Sequence, residues 1–411
     1  MKYIFHLGRI PSLSVAELQA MLKKFAIQYT VKFISKKMIT IDSENEINFK
    51  DILIQMGGIK KISRVIDSYP NHDEAFRNII SEINKIPGKK NIGYSFYPAE
   101  GEENKNTIAL FEEIRKRFID IKQSQERKSN LRLIFPDNKT MELNSASIYK
   151  NKLTIKGIEF NIMTANEKIV LSKTIIVQDV SKYSARDYDR PKRDSKIGMI
   201  PPKLAQIMVN FANVEKGKTI LDPFCGIGTI LQEALLNDYR VIGTDANDQQ
   251  IENTKENLKW LSKKYILEYP DYKIFQSDIG NITRKIKPNS IDAIVTESTL
   301  GPVYKKLPAT KEIINNFEEL EKIYLKFFQA AKTVLRQRSR LVVTLPAYKM
   351  RANQYLFAPF VDKLEKIGYS VTCPLDEGLI TKHTKITSRN SIVYDRPDQI
   401  VAREVIIFMN K

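Results

Sequence analysis

The chain has 411 residues, 42% of them hydrophobic, which is enough for two to four globular domains with buried cores. Its two cysteines and three histidines exclude a Cys-rich zinc site and a disulfide framework. We predict no metal site. The composition does not exclude a catalytic metal bound by carboxylates alone. No apolar run approaches the roughly 18 residues of a membrane span, and the amino terminus lacks the pattern of a signal peptide, so we expect a cytoplasmic protein with no membrane partner.

The net charge of +18 favours polyanionic partners and salt-sensitive association. Residues 1–200 have 35 Lys and Arg against 24 Asp and Glu, whereas residues 201–250 have 4 against 6. This distribution predicts a neutral-to-acidic site among basic surfaces. A lysine-rich, AT-biased proteome would also produce such a charge.

The first 175 residues have the pattern of two small α+β domains. Residues 1–68 mix β-rich runs with an amphipathic helix, "VAELQAMLKKF", and residues 69–175 combine two helical stretches with several strands. A linker is predicted at 176–200, before a larger domain at 201–411.

The linker region contains "SKYSARDYDRPKRDSKIGMIPPKLAQ", which has almost no hydrophobic periodicity and predicts an extended segment that leads into a helix at Pro201–Pro202. Its aromatic rings and guanidinium groups together suit the binding of single-stranded nucleic acid. The plain alternative is a solvated hinge. The candidate RNA-binding residues here are Tyr183, Arg186, Tyr188, Arg190 and Arg193.

Beyond residue 201 strands and helices alternate, which predicts an α/β domain with a mostly parallel sheet covered by helices on both faces. A long helix at about 311–337 has apolar residues at three- and four-residue steps, so its stripe belongs to the core.

The first strand of this domain ends in "LDPFCGIGTI", a Gly-x-Gly turn that opens a helix and points backbone amides at a ligand. The turn lacks the Gly-Lys-Ser/Thr ending of a nucleotide phosphate loop. A dinucleotide is disfavoured because Leu231 stands where a third small residue belongs and Asp222 would repel a pyrophosphate.

S-adenosylmethionine fits what remains, because it offers an amino group to Asp222 and has no phosphate to repel. Asp245 ends the second strand nineteen residues after Gly226, where an acidic side chain accepts hydrogen bonds from ribose hydroxyls. Asp278 ends the third strand, where it could accept from an adenine amine beside the apolar Ile279. Three strand-end aspartates in this order therefore predict a methyltransferase.

The stretches "DPFCGIGTI" and "IGTDAN" resemble the cofactor motifs of class I methyltransferases that act on exocyclic amines of nucleic-acid bases. More specifically, the chain resembles the THUMP-domain tRNA guanosine N2-methyltransferases that modify tRNA position ten. The similar stretches run along essentially the whole chain and are "YIFHLGRIPSLSVAEL", "MGGIKKISRVI", "YSARDYDRPKRDSKIGMIPPKLAQ" and "RPDQIVAREVIIF".

This resemblance implies a ferredoxin-like unit at 1–68, a THUMP-like RNA-binding domain at 69–175, and a Rossmann-like catalytic domain with a mixed, mostly parallel seven-stranded sheet. It also implies that "KIGMIPPKLA" closes over the methionine end of the cofactor. The predicted cofactor-binding residues are Met199, Ile200, Pro201, Asp222, Phe224, Gly226, Gly228, Thr229, Asp245, Ala246, Asp278 and Ile279.

The acceptor site departs from the family pattern. Relatives carry Asp-Pro-Pro-Tyr or close variants at the end of the fourth strand, whereas this chain has Thr296-Glu297-Ser298-Thr299-Leu300-Gly301. We predict that Glu297, Ser298 and Thr299 are the catalytic set, with Glu297 accepting an N–H of the target amine. A register shifted by one residue would instead put Thr296 at the acidic position and Glu297 at the first proline. Arg389 and Arg396 lie in the stretch that corresponds to the family's substrate-facing loop and are further RNA-binding candidates.

The predicted function is S-adenosylmethionine-dependent methylation of the exocyclic N2 amine of a guanosine in tRNA. Two alternatives stay open: a catalytically weakened relative that binds S-adenosylmethionine and RNA, and a methyltransferase for adenine or cytosine amines of nucleic acid. The family contains self-sufficient enzymes and enzymes that need a small activating protein, and the sequence does not decide between them.

Overall fold

The computed structural model describes residues 1–99, 105–125, 131–165, 168–193, 199–268, 270–351, 354–397 and 399–411. Within them the chain forms two units. The first unit consists of Met1–Gly8, Ile27–Ile54 and Ile59–Lys182, and the second of Arg9–Ala26, Gln55–Gly58 and Tyr183–Lys411. Two short segments from the first 60 residues therefore belong to the same unit as the carboxyl-terminal domain.

The first unit is built on one eight-stranded sheet with the order β2-β3-β1-β4-β8-β7-β5-β6. Neighbouring strands are antiparallel except where β5 pairs with β6 and β7 in parallel. The strands are β1 (Lys2–Leu7), β2 (Thr30–Ile34), β3 (Met38–Asp42), β4 (Ile59–Tyr69), β5 (Lys90–Tyr97), β6 (Leu131–Ile134), β7 (Gly157–Ala165) and β8 (Lys168–Val177).

Helices His72–Asn84 and Lys105–Gln125 contribute apolar side chains, among them Phe76 and Phe118, to a core shared with the strands of this sheet. Asn71 caps the first of these helices through its side chain, which accepts from the backbone amide of Glu74. The remaining helices of the unit are Lys50–Leu53 and Ser145–Lys150. The division of this region into two domains at residue 68 stays a prediction.

The second unit contains a sheet with the path β11-β10-β9-β12-β13-β17-β15, in which β14 also pairs with β13 and β16 with β17. The five strands from β11 to β13 are parallel, and β17 runs antiparallel to both of its neighbours on the path. The seven-stranded, mostly parallel sheet predicted from the sequence is confirmed, with two further short strands. The strands are β9 (Thr219–Asp222), β10 (Arg240–Asp245), β11 (Tyr272–Gln276), β12 (Ile291–Glu297), β13 (Leu335–Arg351), β14 (Gln354–Phe357), β15 (Tyr369–Val371), β16 (Ile392–Tyr394) and β17 (Val401–Asn410).

The helices of the second unit cover this sheet. Apolar residues of Thr310–Val334, including Phe317 and Phe327, pack into a core with the inward side chains of the sheet. The helix ends three residues before the predicted 337, because Leu335 adopts an extended backbone (φ −79°, ψ 135°) and begins β13. The helices are Pro11–Lys24, Val180–Ser184, Pro202–Phe211, Thr229–Leu236, Asp248–Tyr265, Ile282–Lys285, Thr310–Val334 and Val361–Lys366.

The helix at Pro202–Phe211 is confirmed, with a proline in its first turn where the missing amide costs nothing. The prediction of an extended linker before it is wrong over residues 180–189. There the chain forms helix Val180–Ser184 and a π-helical turn at Ala185–Asp189, because Tyr183 and Arg186 are buried and find partners in the second unit. Within the described part of the chain, no helix is both long enough and apolar enough to cross a membrane.

Candidate active site

The carboxyl ends of parallel strands meet at one edge of a sheet, which is where α/β proteins bind ligands. In the second unit β9 ends at Asp222, β10 at Asp245 and β12 at Glu297. All three carboxylates line one cavity of about 560 Å³. A cavity of this size accommodates a ligand as large as a nucleoside derivative.

The glycine loop forms one wall of the cavity and is held by Asp245. The backbone amide of Gly226 donates to Oδ2 of Asp245 at 3.0 Å, and the amide of Asn247 donates to Oδ1 at 2.9 Å. Gly226 and Gly228 have φ values of +50° and +82°, which a side chain disfavours. At Gly228 a Cβ would also lie 2.9 Å from Cγ2 of Thr254.

Asp222 is a buried acid at the floor of the cavity, only 2% exposed. It accepts hydrogen bonds from the hydroxyl of Thr296 at 2.6 Å and from the amide of Phe224 at 3.2 Å. Burial raises the pKa of Asp222 to about 7, against the lowering effect of these two hydrogen bonds. A cationic ligand would relieve the cost of keeping this carboxylate ionised.

Glu297 faces the same cavity and is engaged by a residue that the sequence analysis missed. The guanidinium of Arg403 donates through Nε to Oε2 at 2.6 Å and through Nη2 to Oε1 at 2.9 Å. The hydroxyl of Thr344 donates to Oε2 at 3.2 Å. The carboxylate is thus fixed by a two-pronged ion pair, the strong form of an Arg–carboxylate contact.

Ser298 and Thr299 also line the cavity beside Glu297. Ser298 is buried, with 3% of its surface exposed. The Thr299 hydroxyl accepts from the amide of Gly301 at 3.2 Å and so closes a local turn. Tyr304 lines the cavity as well, with its ring edge-on to Tyr348 at 6.0 Å between centroids.

The other predicted cofactor residues divide into two groups. Met199, Ile200, Phe224, Gly226 and Thr229 line the cavity. Phe224 packs edge-on against Phe327. Pro201, Gly228 and Ala246 are not among the residues lining it. They flank or support it instead: Pro201 is the residue before helix Pro202–Phe211 and Gly228 the one before helix Thr229–Leu236, while Ala246 directly follows Asp245.

Asp278 and Ile279 do not line the cavity either. Asp278 accepts from the amide of Gly280 at 2.8 Å and from the ammonium of Lys326 at 2.7 Å. The Lys326 hydrogen bond holds the pKa of Asp278 below its ordinary value. Ile279 belongs to the core under helix Thr310–Val334. The adenine contacts predicted for these two residues stay a prediction without support from this geometry.

Three residues predicted to bind RNA are buried in the second unit. Tyr183 donates its hydroxyl to the carbonyl of Met56 at 3.0 Å. Arg186 forms an ion pair with the buried Glu233 at 2.6 Å, and Arg190 donates to the hydroxyl of Thr229 at 2.7 Å. With exposures of 8% or less, these three side chains are packed inside the second unit and are not accessible to RNA.

The other four candidates lie nearer the surface. Tyr188 is 61% exposed, and Arg193 stacks over its ring at 5.0 Å. Arg396 lies over the ring of Tyr394 and donates to its hydroxyl at 3.2 Å. Arg389 forms an ion pair with Glu404. It also donates to the carbonyl of Ala358 at 2.6 Å. Of the predicted set, Tyr188 and Arg193 are exposed and Arg396 is half-buried. Binding of RNA by these three residues stays a prediction.

Several cavity residues escaped the sequence analysis. Arg403 had a usable signal, because Arg403-Glu404 interrupts an otherwise apolar strand, and buried charges require partners. Other cavity residues outside the predicted set include Cys225, Ile227, Asn247, Gln250, Gln399 and Val401. All but Gln250 lie inside stretches quoted above for their resemblance, but nothing in their residue types marked them individually.

Comparison with known proteins gives two family models. Residues 190–356 match an RMKL-like methyltransferase domain, and residues 66–256 match a model described as DNA methylase. Among solved structures, TrmN from Thermus thermophilus is similar over 100% of both chains, with a TM-score of 0.57 at 12% identity. This likeness concerns the fold.

Several curated relatives are archaeal. A tRNA (guanine(10)-N2)-dimethyltransferase of Methanothermobacter thermautotrophicus is 31% identical over 52% of this chain and 59% of its own length. One of Methanocaldococcus jannaschii is 26% identical over 77% of this chain and 86% of its own. A probable tRNA (guanine(10)-N2)-dimethyltransferase of Methanothermococcus thermolithotrophicus is 31% identical over 32% of this chain and 81% of its own.

The strand order, the glycine loop and the acidic strand ends around one cavity define a class I, S-adenosylmethionine-dependent methyltransferase. Within that class the chain belongs to the tRNA (guanine(10)-N2)-dimethyltransferase family.

Proposed function

We propose that this protein transfers a methyl group from S-adenosylmethionine to the exocyclic N2 amine of a guanosine in tRNA, at position ten as in the relatives' names. The observation that carries the proposal is the placement of Glu297 in the same cavity as the glycine loop and Asp222. The residues that fit the cofactor and the residue that can accept an amine N–H therefore line the same cavity.

The residues present fit the cofactor. Its amino group is a cation that Asp222 can hold, directly or through water, and the apolar side chains of Met199, Ile200 and Phe224 suit its methionine end. Asp245 has both oxygens engaged by backbone amides, so it offers its remaining lone pairs to ribose hydroxyls. When bound, S-adenosylmethionine supplies a methyl group on a positively charged sulfur.

The chemical problem is the weak nucleophilicity of an aromatic amine, whose lone pair is delocalised into the ring. A side chain that accepts an N–H lets the nitrogen become pyramidal and directs its lone pair at the methyl group, and this contact strengthens in the transition state. Glu297 provides such an acceptor. With the cofactor bound, the N–C bond would form as the S–C bond breaks, the sulfur would keep the electron pair as a neutral thioether, and the nitrogen would release its proton to solvent.

Recognition of the tRNA falls, in this proposal, to the basic first unit and to the exposed pair Tyr188 and Arg193. The first unit would correspond to the ferredoxin-like and THUMP-like regions at 1–68 and 69–175 without Arg9–Ala26 and Gln55–Gly58, which belong to the second unit. The first unit has 27 Lys and Arg against 20 Asp and Glu, which supports this assignment, because phosphate contacts supply most of the affinity for RNA.

The proposal is tested by incubating the protein with labelled S-adenosylmethionine and an unmodified tRNA transcript, followed by nucleoside analysis. We expect N2-methylguanosine or N2,N2-dimethylguanosine, and no label in a transcript whose guanosine 10 is replaced by adenosine. Because one family model is described as DNA methylase, duplex DNA is the second substrate to test. Label in adenine or cytosine of DNA, with none in tRNA, would overturn the proposal.

A further inference from the structure

We propose that Arg403 is a positioning residue that fixes Glu297 as an acceptor for a single N–H. The inference rests on the proposed function, because it concerns the amine-binding side of the same cavity. It explains how the acceptor site can be precise although the strand end Glu297-Ser298-Thr299-Leu300 contains no proline.

The sheet brings the two residues together. Glu297 is the last residue of β12 and is paired in register with Thr344 of β13, whose neighbour on the other side is β17 with Arg403. The Arg403 side chain is 2% exposed and that of Glu297 is 12% exposed. Residues of three adjacent strands therefore hold the carboxylate in place: Glu297 itself on β12, Thr344 on β13 and Arg403 on β17.

The hydrogen bonds leave one acceptor position. An ionised carboxylate offers about four lone-pair sites, two on each oxygen. Arg403 occupies one site on each oxygen, and Thr344 occupies the second site on Oε2. The remaining site is on Oε1, and because Glu297 lines the cavity, this is the site left to accept one N–H.

Arg403 also orients a second residue of the wall. Its Nη1 donates to the side-chain oxygen of Gln399 at 3.2 Å, and Gln399 lines the same cavity. Because the oxygen of this amide is engaged, its nitrogen is the group left to donate to an acceptor atom of the base. One guanidinium therefore places an acceptor, Glu297, and a donor, Gln399.

Without Arg403 the carboxylate of Glu297 would stay in a largely enclosed site without its cation. Such a carboxyl group takes up a proton readily. A protonated Glu297 would present an O–H where the amine needs an acceptor, and it would rotate more freely. Loss of Arg403 should therefore lower the rate of methyl transfer more at low pH than at high pH.

The test compares wild type with Arg403→Met, Arg403→Lys and Glu297→Gln, using kcat, KM for tRNA, calorimetric affinity for S-adenosylmethionine and rates between pH 5.5 and 9. For Arg403→Met we expect kcat to fall by about 100-fold at pH 6.5, the scale of losing one preorganised polar contact, and to recover partly at pH 9. Cofactor affinity should stay within about 3-fold, since the cofactor side of the cavity is unchanged. Arg403→Lys, with one point contact instead of two, should be intermediate.

Lys349→Met is the matched control. It removes a cation from an ion pair in the same sheet, Lys349 with Asp395 at 2.6 Å, but Lys349 does not line the cavity. We expect its pH profile to follow that of wild type. If Arg403→Met does not fold, Arg403→Lys and Glu297→Gln carry the test. Because Asp222 titrates in this range in every variant, the comparison is the ratio to wild type, and for Glu297→Gln this ratio of rates should be the same at every pH.

Two results would overturn the inference: Arg403 variants that keep wild-type kcat, or variants whose loss is the same at every pH and matches an equal loss of cofactor affinity. Failure of the proposed function would look different. In that case wild type itself would yield no methylated guanosine in tRNA, before any variant is compared.

Discussion

The carboxylate of Glu17 accepts a hydrogen bond from the backbone amide of Gly57 at 2.8 Å, although the two residues are 40 positions apart. The amide of Gly58 and the side chain of Asn210 donate to the same carboxylate, at 2.7 and 2.8 Å. These contacts tie the helix Pro11–Lys24 and the segment Gln55–Gly58 to the second unit. The amino-terminal helix is thereby part of the catalytic unit.

A substitution at Gly57 should therefore disturb the catalytic unit. A Cβ at this position would lie 2.2 Å from the carbonyl oxygen of Lys203 in helix Pro202–Phe211. We expect Gly57→Ala to destabilise the protein by about 2–4 kcal/mol, the range of a backbone clash in a packed region. Chemical denaturation measures the change. Gly378→Ala is the control, because nothing lies within 4 Å of its Cβ, and equal effects of both variants would contradict the account.

Glu17 should also make stability depend on pH. Burial, the largest influence, raises its pKa from 4.5 to about 7 despite the hydrogen bonds it accepts. The folded carboxyl keeps its proton in a range where the unfolded one has lost it, so this group favours folding fully below about pH 4.5 and progressively less up to about pH 7.

The size of that effect is at most about 3–4 kcal/mol, from about 2.5 pKa units at 1.36 kcal/mol each. We expect the free energy of unfolding of wild type, relative to Glu17→Gln, to decrease between pH 4.5 and 7. Parallel pH profiles for the two proteins would show that Glu17 does not titrate in this range.

Asp222 should couple cofactor binding to pH. Its pKa of about 7 in the ligand-free protein means that part of the population is protonated at neutral pH. A cation favours the ionised form, so binding of S-adenosylmethionine should release a proton and become tighter as pH rises towards 7. Calorimetry in buffers of different ionisation enthalpy measures the proton. Asp222→Asn should bind S-adenosylmethionine about 10-fold or more weakly, and its affinity should not change with pH in this range. A variant whose affinity still rises towards pH 7 would contradict the assignment of this titration to Asp222.

The arginines of residues 180–193 should separate into two phenotypes. Arg186→Met breaks a buried ion pair with Glu233 and should cost about 3–5 kcal/mol of stability. Arg193→Ala, at an exposed stack on Tyr188, should leave stability unchanged and weaken tRNA binding by about 3- to 10-fold. Thermal unfolding and tRNA binding at fixed salt distinguish them. A loss of tRNA affinity in fully folded Arg186→Met would reverse our assignment.

The sequence predicted the catalytic fold because its signals are local. Alternation of strands and helices, the turn around Gly226 and the aspartates at two strand ends each follow from neighbouring residues, and the parallel sheet then brings Asp222 and Asp245 to one edge. The partnership of Glu297 with Arg403 spans 106 residues and depends on which strands are neighbours. No spacing rule could reveal it.

The burial of Tyr183 and Arg186 was missed for a related reason. A stretch rich in Arg, Tyr and Asp has the composition of a solvated segment, and nothing within it shows that Glu233 offers a buried carboxylate to Arg186. Likewise the membership of helix Pro11–Lys24 in the second unit depends on distant groups, the amides of Gly57 and Gly58. Where partners are far apart in the chain, composition alone misleads.

The most direct test of the central claim is a single-turnover measurement of methyl transfer to unmodified tRNA by wild type and Glu297→Ala, with cofactor affinity measured on the same samples. The account predicts N2-methylated guanosine from wild type. It predicts a rate about 100-fold lower or more in Glu297→Ala with cofactor affinity retained. Methylated guanosine formed at the wild-type rate by Glu297→Ala would contradict the role of this strand end.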